Sequence, residues 1–514
     1  MLNYISTRDP GLKVTPSVAI LKGIAPDGGL FVPEDLKELA VDYRELIRRD
    51  YRGMASEILS KFFPDLGGRK MEEIVGKSYE GKFSAKELTP LKKVGDAYVL
   101  ELFHGPTCAF KDVALSILPN LMTEAARLNG FKDKILILTA TSGDTGSAAL
   151  HGFSDVPGTG IIVFFPDGGI SDTQKLQMVT AEGRNVAACA VKGNFDDAQS
   201  GVKKIFSEIE SPAEGISLSS ANSINIGRLA PQVVYYFAAY KQLVENGDIE
   251  PGDEIAFTVP TGNFGDIMAG WFAKEMGLPV AELTCASNRN DVLTEFLDTG
   301  HYNRKREFYK TDSPSMDILI SSNLERLLFY VCGAEKTKAY MEALSKCDEY
   351  DITKEELSEI RSVFRGVSCD DEEGGAAIGE VFRRYGYLMD THTSVAWASL
   401  EKAGASGGDR SDGSKVTVSK ADVSAEGRSG RVKADVVLST ASPYKFTRAV
   451  LRALGGTESG TDKENMIDLE KMTGVAIPEQ LFAIFGKKVI HKDVIDPADM
   501  KAFVIGKSEG DLCK

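Results

Sequence analysis

The chain has 514 residues, 43% of them hydrophobic and 26% charged, which suits a folded globular protein too long for one core and made of two or three domains. Its net charge of −15 and pI near 5.1 argue against nucleic acid or an anionic membrane as principal partner. No apolar run approaches the ~20 residues that span a bilayer, and the opening M-L-N-Y-I-S-T-R-D-P lacks the basic end and apolar core of a secretory leader; a cytoplasmic location is expected.

Residues 1 to about 90 mix short helical patterns with turns, and A-P-D-G-G-L-F-V-P-E at 25–34 reads as a loop or tight hairpin. From residue 91 the rhythm changes. Strand-like D-A-Y-V-L-E-L-F runs into F-H-G-P-T-C-A-F-K-D at 103–112, and apolar residues then recur at helical spacing over 113–128. K-I-L-I-L-T at 134–139 is the continuous apolar run of a buried parallel strand. Further strands are expected at 161–165, 186–191, 254–259, 280–286 and 434–439, and helices at 196–206, 266–276, 290–297 and 443–454. That alternation predicts an α/β protein with parallel sheets and ligands at the carboxyl ends of the strands. Between 403 and 431 the chain turns to Gly, Ser and charge, the composition of a solvated insertion within a domain. The seven cysteines, Cys108, Cys189, Cys285, Cys332, Cys347, Cys369 and Cys513, are never spaced C-x-x-C, and the five histidines are dispersed. Reduced thiols are expected, with no metal site.

Five stretches carry possible chemistry. Lys111 stands directly after Phe110 and before Asp112 in an otherwise apolar, small-residue segment. Buried against Phe110 and Phe103, its amine would favour the neutral form, because desolvation penalises the ammonium; a neutral amine is what a Schiff base to a carbonyl requires. A surface lysine at a helix start, paired with Asp112, is the alternative. In P-T-G-N-F-G-D a strand ends and a helix begins, so the amides of Gly262, Asn263, Phe264, Gly265 and Asp266 can converge on one anion at the positive end of that helix. A structural turn explains the same glycines. Neither a P-loop nor G-x-G-x-x-G is present, which disfavours a nucleotide. T-S-G-D-T-G offers Thr141, Ser142, Gly143, Asp144 and Thr145 to a carboxylate, or simple N-capping. In S-T-A-S-P-Y-K-F, Thr440 is placed to meet a ring nitrogen or to cap a helix; in S-I-N-I-G-R-L, Asn225 and Arg228 are polar partners for a ligand or for another part of the surface.

Taken in order, these stretches resemble the threonine synthase family, pyridoxal-phosphate enzymes of fold type II (tryptophan synthase β-like), and A-P-D-G-G-L-F-V-P-E resembles that family's N-terminal domain. The resemblance covers nearly the whole chain except about 404–431. It implies parallel-sheet, three-layer domains, with an N-terminal domain over 1–90 and a catalytic region over 91–514 whose two subdomains flank the cofactor. It also implies that Lys111 carries pyridoxal phosphate as a Schiff base, residues 262–266 bind its phosphate and Thr440 meets its ring nitrogen. Residues 141–145 face the substrate carboxylate and the cofactor's phenolic oxygen; Asp144 stands where many relatives carry Asn, and Ser442 where some carry His. The reaction implied takes O-phospho-L-homoserine and water to L-threonine and phosphate, a carbon–oxygen lyase step in amino-acid biosynthesis. Lys111 would move most of the protons, and Arg228, Asn225, His104, Ser142 and Thr107 are the candidates to receive the leaving phosphate. A phospho-lyase giving 2-oxobutyrate and a non-catalytic metabolite-binding homologue are the alternatives. A monomer or homodimer acting on a small molecule is expected, with no nucleic-acid or membrane partner.

Overall fold

The computed structural model describes residues 2–141, 143–168, 170–209, 211–405, 431–458, 460–510 and 512. The expected insertion at about 404–431 lies outside them except at its edges, as does Ser142. The chain opens with a small antiparallel sheet in which β1 (Tyr4–Ser6) pairs with β2 (Lys13–Val14) and β3 (Phe31–Pro33). The stretch at 25–34, read from sequence as a loop or hairpin, is therefore a tight turn that ends in a strand. Gly28 takes the left-handed conformation at φ 80°, and the buried Leu30, Phe31 and Val32 that follow have apolar side chains to pack. Two helices, Tyr51–Phe62 and Gly68–Tyr79, place Met54, Ile58, Phe62, Met71 and Val75 in the core, and the first of them packs on the long helix Ile226–Glu245. Arg8 pairs with Glu325 at 2.8 Å. The wholly buried Arg326 donates to the Phe31 carbonyl, so this N-terminal segment is fastened to the helix Leu324–Cys347.

Beyond it lie two larger sheets. The chain lays down β4 (Leu91–Val94) and β5 (Ala97–Glu101), then crosses to a second sheet for β6 (Lys134–Ala140), β7 (Thr159–Pro166), β8 (Val186–Val191) and β9 (Ile216–Ser219). It returns for β10 (Glu254–Pro260) and β11 (Val280–Ser287), forms a two-stranded ribbon from β12 (His301–Asn303) and β13 (Glu349–Asp351), and completes the first sheet with β14 (Phe364–Ser368) and β15 (Val432–Ser439). A last strand, β16 (Val494–Ile495), adds to the second. The orders are β14-β11-β10-β15-β5-β4 and β16-β8-β7-β6-β9. Every pairing in both is parallel except β4 with β5. The expected apolar runs are all strands, lengthened by a residue or two at half of their ends. The strands of these sheets that carried no such signal, β4, β9, β14 and β16, have only partly buried patterns, so their sequences lack a continuous apolar run.

Two expected helices are broken. The pattern over 113–128 forms Lys111–Leu115 and Leu118–Leu128, with Pro119 in the first turn of the second, where its missing N–H is harmless. The stretch 443–454 divides at Phe446, φ −127°, into a 3-10 turn Pro443–Lys445 and a helix Thr447–Ala453.

Candidate active site

Four of the five stretches singled out leave the carboxyl ends of parallel strands: 102–111 follows β5, 141–145 follows β6, 261–266 follows β10 and 440–445 follows β15. Backbone pairing locks two of them together. Leu102 N–H donates to Ser439 O at 2.9 Å, Phe110 N–H to Thr440 O at 2.8 Å and Ser442 N–H to Cys108 O at 3.1 Å, with an antiparallel bridge between Ala109 and Ala441. Lys111 and Lys445 thus come from segments joined side by side. Cys108 makes the turn at φ 57°, an uncommon conformation for a residue with a Cβ. Burial pushes its thiol up to about 12, which leaves it a neutral packing group.

The Lys111 amine lies 4.7 Å from the centre of the Phe110 ring and 4.0 Å from Asp144 Oδ2. Asp112, its sequence neighbour, turns away and accepts from the Thr107 amide and hydroxyl at 2.8 and 2.7 Å, so the reading of a Lys111–Asp112 surface pair does not hold. Burial lowers Lys111 to about 8 against the pull of Asp144, with Arg228 and Lys445 adding to the fall. Burial would raise Asp144, but the charges of Lys445 and Lys111 and a hydrogen bond from Gln174 overcome it and hold the carboxyl well below its ordinary range. Its Oδ1 accepts from Lys445 Nζ and Gln174 Nε2, both at 2.9 Å. Gly143, φ 143°, precedes it, and a Cβ there would sit 2.4 Å from the Gln174 side chain, so the loop takes only glycine at this point. Thr141 Oγ1 accepts from the amides of Gly143 and Gly146 at 2.9 and 3.0 Å, which makes it the clasp of this turn.

At 262–266, Phe264 is left-handed (φ 59°) and begins the helix Gly265–Glu275. Among the described residues the amides of Gly262, Asn263, Phe264, Gly265 and Asp266 have no acceptor, whereas the carbonyls of Gly262 and Asn263 are taken by Ser321 and Asn323. The N–H groups are left free to converge on an anion. A Cβ on Gly262 would lie 2.7 Å from the Ser315 carbonyl, so the cradle is closely walled. Asp266 faces two phenols: Tyr235 donates to its Oδ1 and so does Tyr236, at 3.1 Å, while Oδ2 has no partner. Burial raises it to about 6 despite those hydrogen bonds.

The remaining sequence candidates separate. Arg228 is buried with one N–H on the Ala221 carbonyl at 2.7 Å and its Nε without a partner; burial lowers it to about 10. Such a cation close to Lys111 suits an anionic ligand. The Thr440 hydroxyl makes no hydrogen bond among the described residues. Neither does that of Thr145. Asn225 gives both its amide protons to Ile20 O and Ser220 O and caps the helix Ile226–Glu245 through Gly227 N–H, so it has no donor for a phosphate. The Thr107 hydroxyl is likewise held by Asp112. His104 pairs with Glu101 at 2.9 Å and Ser84 at 3.3 Å. Ser442 caps the 3-10 turn at Tyr444. Sequence reasoning missed Lys445 and Gln174. It also missed His392, whose Nε2 accepts the Ser315 N–H at 3.1 Å and whose Nδ1 meets Asp390 at 3.0 Å, holding the wall over Gly262.

The family model Threonine synthase N terminus matches residues 3–79, and Pyridoxal-phosphate dependent enzyme matches residues 83–419. Threonine synthase of Schizosaccharomyces pombe is 34% identical over 529 residues, 96% of this chain and 98% of that protein. The chain belongs to the threonine synthase family. A PLP-bound threonine synthase from Brucella melitensis superposes with a TM-score of 0.83 at 34% identity, covering 99% of this chain and 100% of that one. Human threonine synthase-like 1 is 38% identical over 399 residues, 74% of this chain, which spans about half (53%) of that relative's length. The residues present fit the family's cofactor: an amine near neutrality for the aldehyde, five unpaired amides for the phosphate and a free hydroxyl for the ring nitrogen.

Proposed function

We propose that this protein is a threonine synthase, converting O-phospho-L-homoserine and water to L-threonine and phosphate. The observation that carries the reading is the buried Lys111 amine, lowered to about 8, on which the charges of Arg228 and Asp266 act, Asp266 being the last of five residues whose amides are unpaired. Bound pyridoxal phosphate supplies an electron sink for charge developing beside its ring. The chain supplies the rest. Residues 262–266 bind the cofactor phosphate through backbone N–H groups, and the Thr440 hydroxyl, not a carboxylate, meets the ring nitrogen. The Thr145 hydroxyl and the amides of Asp144 and Thr145, with Ser142, take the substrate carboxylate. Lys111, close to the working pH, accepts the Cα proton and returns protons to the chain of carbons. Arg228 draws the leaving phosphate.

Residues 1–90 form the N-terminal domain of this reading and 91–514 the catalytic region. No described helix is long and apolar enough to cross a membrane. A cytoplasmic enzyme, monomer or homodimer, that handles no nucleic acid is the setting proposed. Incubation of the purified protein with pyridoxal phosphate and O-phosphohomoserine tests the function: threonine and phosphate in equal amounts are expected. Phosphate with 2-oxobutyrate would mark a phospho-lyase, and no phosphate release would sink both.

A further inference from the structure

Asp144 is reached by two lysines that differ in access. Lys445 Nζ lies 2.9 Å from Asp144 Oδ1 and 2.9 Å from the Thr107 carbonyl, and none of its side chain is exposed. Lys111 Nζ stands off at 4.0 Å from Oδ2, and 13% of its side chain is exposed. The first amine is sealed, and the second keeps a small exposure. The sealed one is held between a carboxylate and a carbonyl.

We propose that Lys445 is a positioning residue, the counter-charge of Asp144. It fixes the carboxylate against the site while cancelling its hold on the Lys111 ammonium, so that Lys111 can lose its proton and bond to an aldehyde. The inference rests on Lys111 being the cofactor lysine. In the bond-forming step the neutral amine nitrogen attacks the aldehyde carbon, and the carbonyl oxygen leaves as water with the two amine protons; nothing is oxidised.

The charges facing Lys111 come from four elements. Asp144, at the start of Asp144–Phe153, and Asp266, in Gly265–Glu275, favour its ammonium; Arg228, in Ile226–Glu245, and Lys445, in the turn Pro443–Lys445, oppose it. Lys445 itself faces Asp144, Asp112 and the Cys108 thiol. Without Lys445, Lys111 is the one cation within 4.0 Å of the Asp144 carboxylate among the described residues. A buried, uncompensated carboxylate then pairs with the nearest amine and keeps it protonated.

Full-length protein freed of cofactor is mixed with pyridoxal phosphate between pH 6.5 and 9.5, and the gain of visible absorbance is followed. Borohydride reduction and peptide mapping then locate the label. At pH 7, Lys445→Gln is expected to take up cofactor about tenfold more slowly than wild type, the effect of one pKa unit on the neutral fraction, and to catch up above pH 9. Asp144→Asn with Lys445→Gln, which removes both charges, is expected to return to within about twofold of wild type. Loss of the Lys445 hydrogen bond to Thr107 would not be repaired that way. Asp144→Asn alone, which keeps Lys445, is expected to move the pH profile to lower pH and serves if Lys445→Gln does not fold. A Lys445→Gln profile superimposed on wild type, a double variant as slow as the single one, or an unmoved Asp144→Asn profile would overturn the proposal. A label found away from Lys111 in wild type would instead overturn the reading of Lys111.

Discussion

Asp144 and Asp266 occupy equivalent places. Each is buried in the first turn of a helix that follows a parallel strand, β6 for one and β10 for the other, where the helix dipole favours an anion. Their carboxyls are nevertheless shifted in opposite directions, because their partners differ. Asp144 has two ammonium groups and an amide, which hold it ionised against burial; Asp266 has two phenols and an unpartnered oxygen, and burial raises it to about 6. Partner charge, rather than helix position, decides which way a buried carboxyl is shifted. The distinction suits their proposed neighbours: a fixed anion beside an amine, and a carboxyl that yields its charge readily beside a phosphate cradle.

The largest effect is expected where the comparison rests on the amine itself. Lys111→Ala should lower turnover by at least about 10³-fold, since it removes both the bond to the cofactor and the base, while leaving the thermal midpoint nearly unchanged. Turnover within tenfold of wild type would exclude Lys111. Arg228→Gln should lower kcat/KM for O-phosphohomoserine by about 10²-fold through loss of a charged donor. It should also move the acid limb of the rate profile to higher pH, because Arg228 helps to lower Lys111. Gly262→Ala needs no new backbone conformation yet places a methyl 2.7 Å from the Ser315 carbonyl. Cofactor binding, followed by fluorescence, should weaken by about tenfold as the cradle shifts, about 1.4 kcal/mol.

Asp266→Asn gives the smallest effect and the sharpest comparison. The folded state raises the Asp266 carboxyl from 3.8 to about 6 and so binds its proton more tightly than the unfolded chain. That contribution is complete below about pH 4 and is lost as pH rises through 6. The thermal midpoint of Asp266→Asn should therefore climb relative to wild type by roughly 2–4 °C between pH 4 and 6.5 and then level off. Asp112, also raised to about 6, is common to both proteins and cancels. A difference that stays flat with pH would mean that Asp266 is ionised throughout.

Much of this was legible in the sequence. The buried parallel strands were readable because both their faces are covered, so each spells an apolar run; the edge strands β9 and β14 did not. The motifs at strand ends pointed to the unpaired amides of 262–266 and to the buried Lys111, and S-I-N-I-G-R-L pointed to the buried Arg228. Asn225 and Thr107 were misjudged as phosphate donors because a capping side chain and a ligand-binding one look alike until their partners are seen. Lys445 had a signal that went unused: it stands between Tyr444 and Phe446, as Lys111 stands beside Phe110, a cation set among aromatics. Its partner Asp144 lies some three hundred residues earlier, and only the crossing of the two sheets brings them together.

That crossing has a mechanical side. Lys111, Thr440 and Lys445 hang from one sheet through the Ala109–Ala441 bridge, whereas Asp144 and Gln174 hang from the other. The 2.9 Å contact of Lys445 with Asp144 is thus a stitch across the seam between the halves. Were one half to move against the other, that contact would lengthen, and the Asp144 charge would act on Lys111 with less to cancel it.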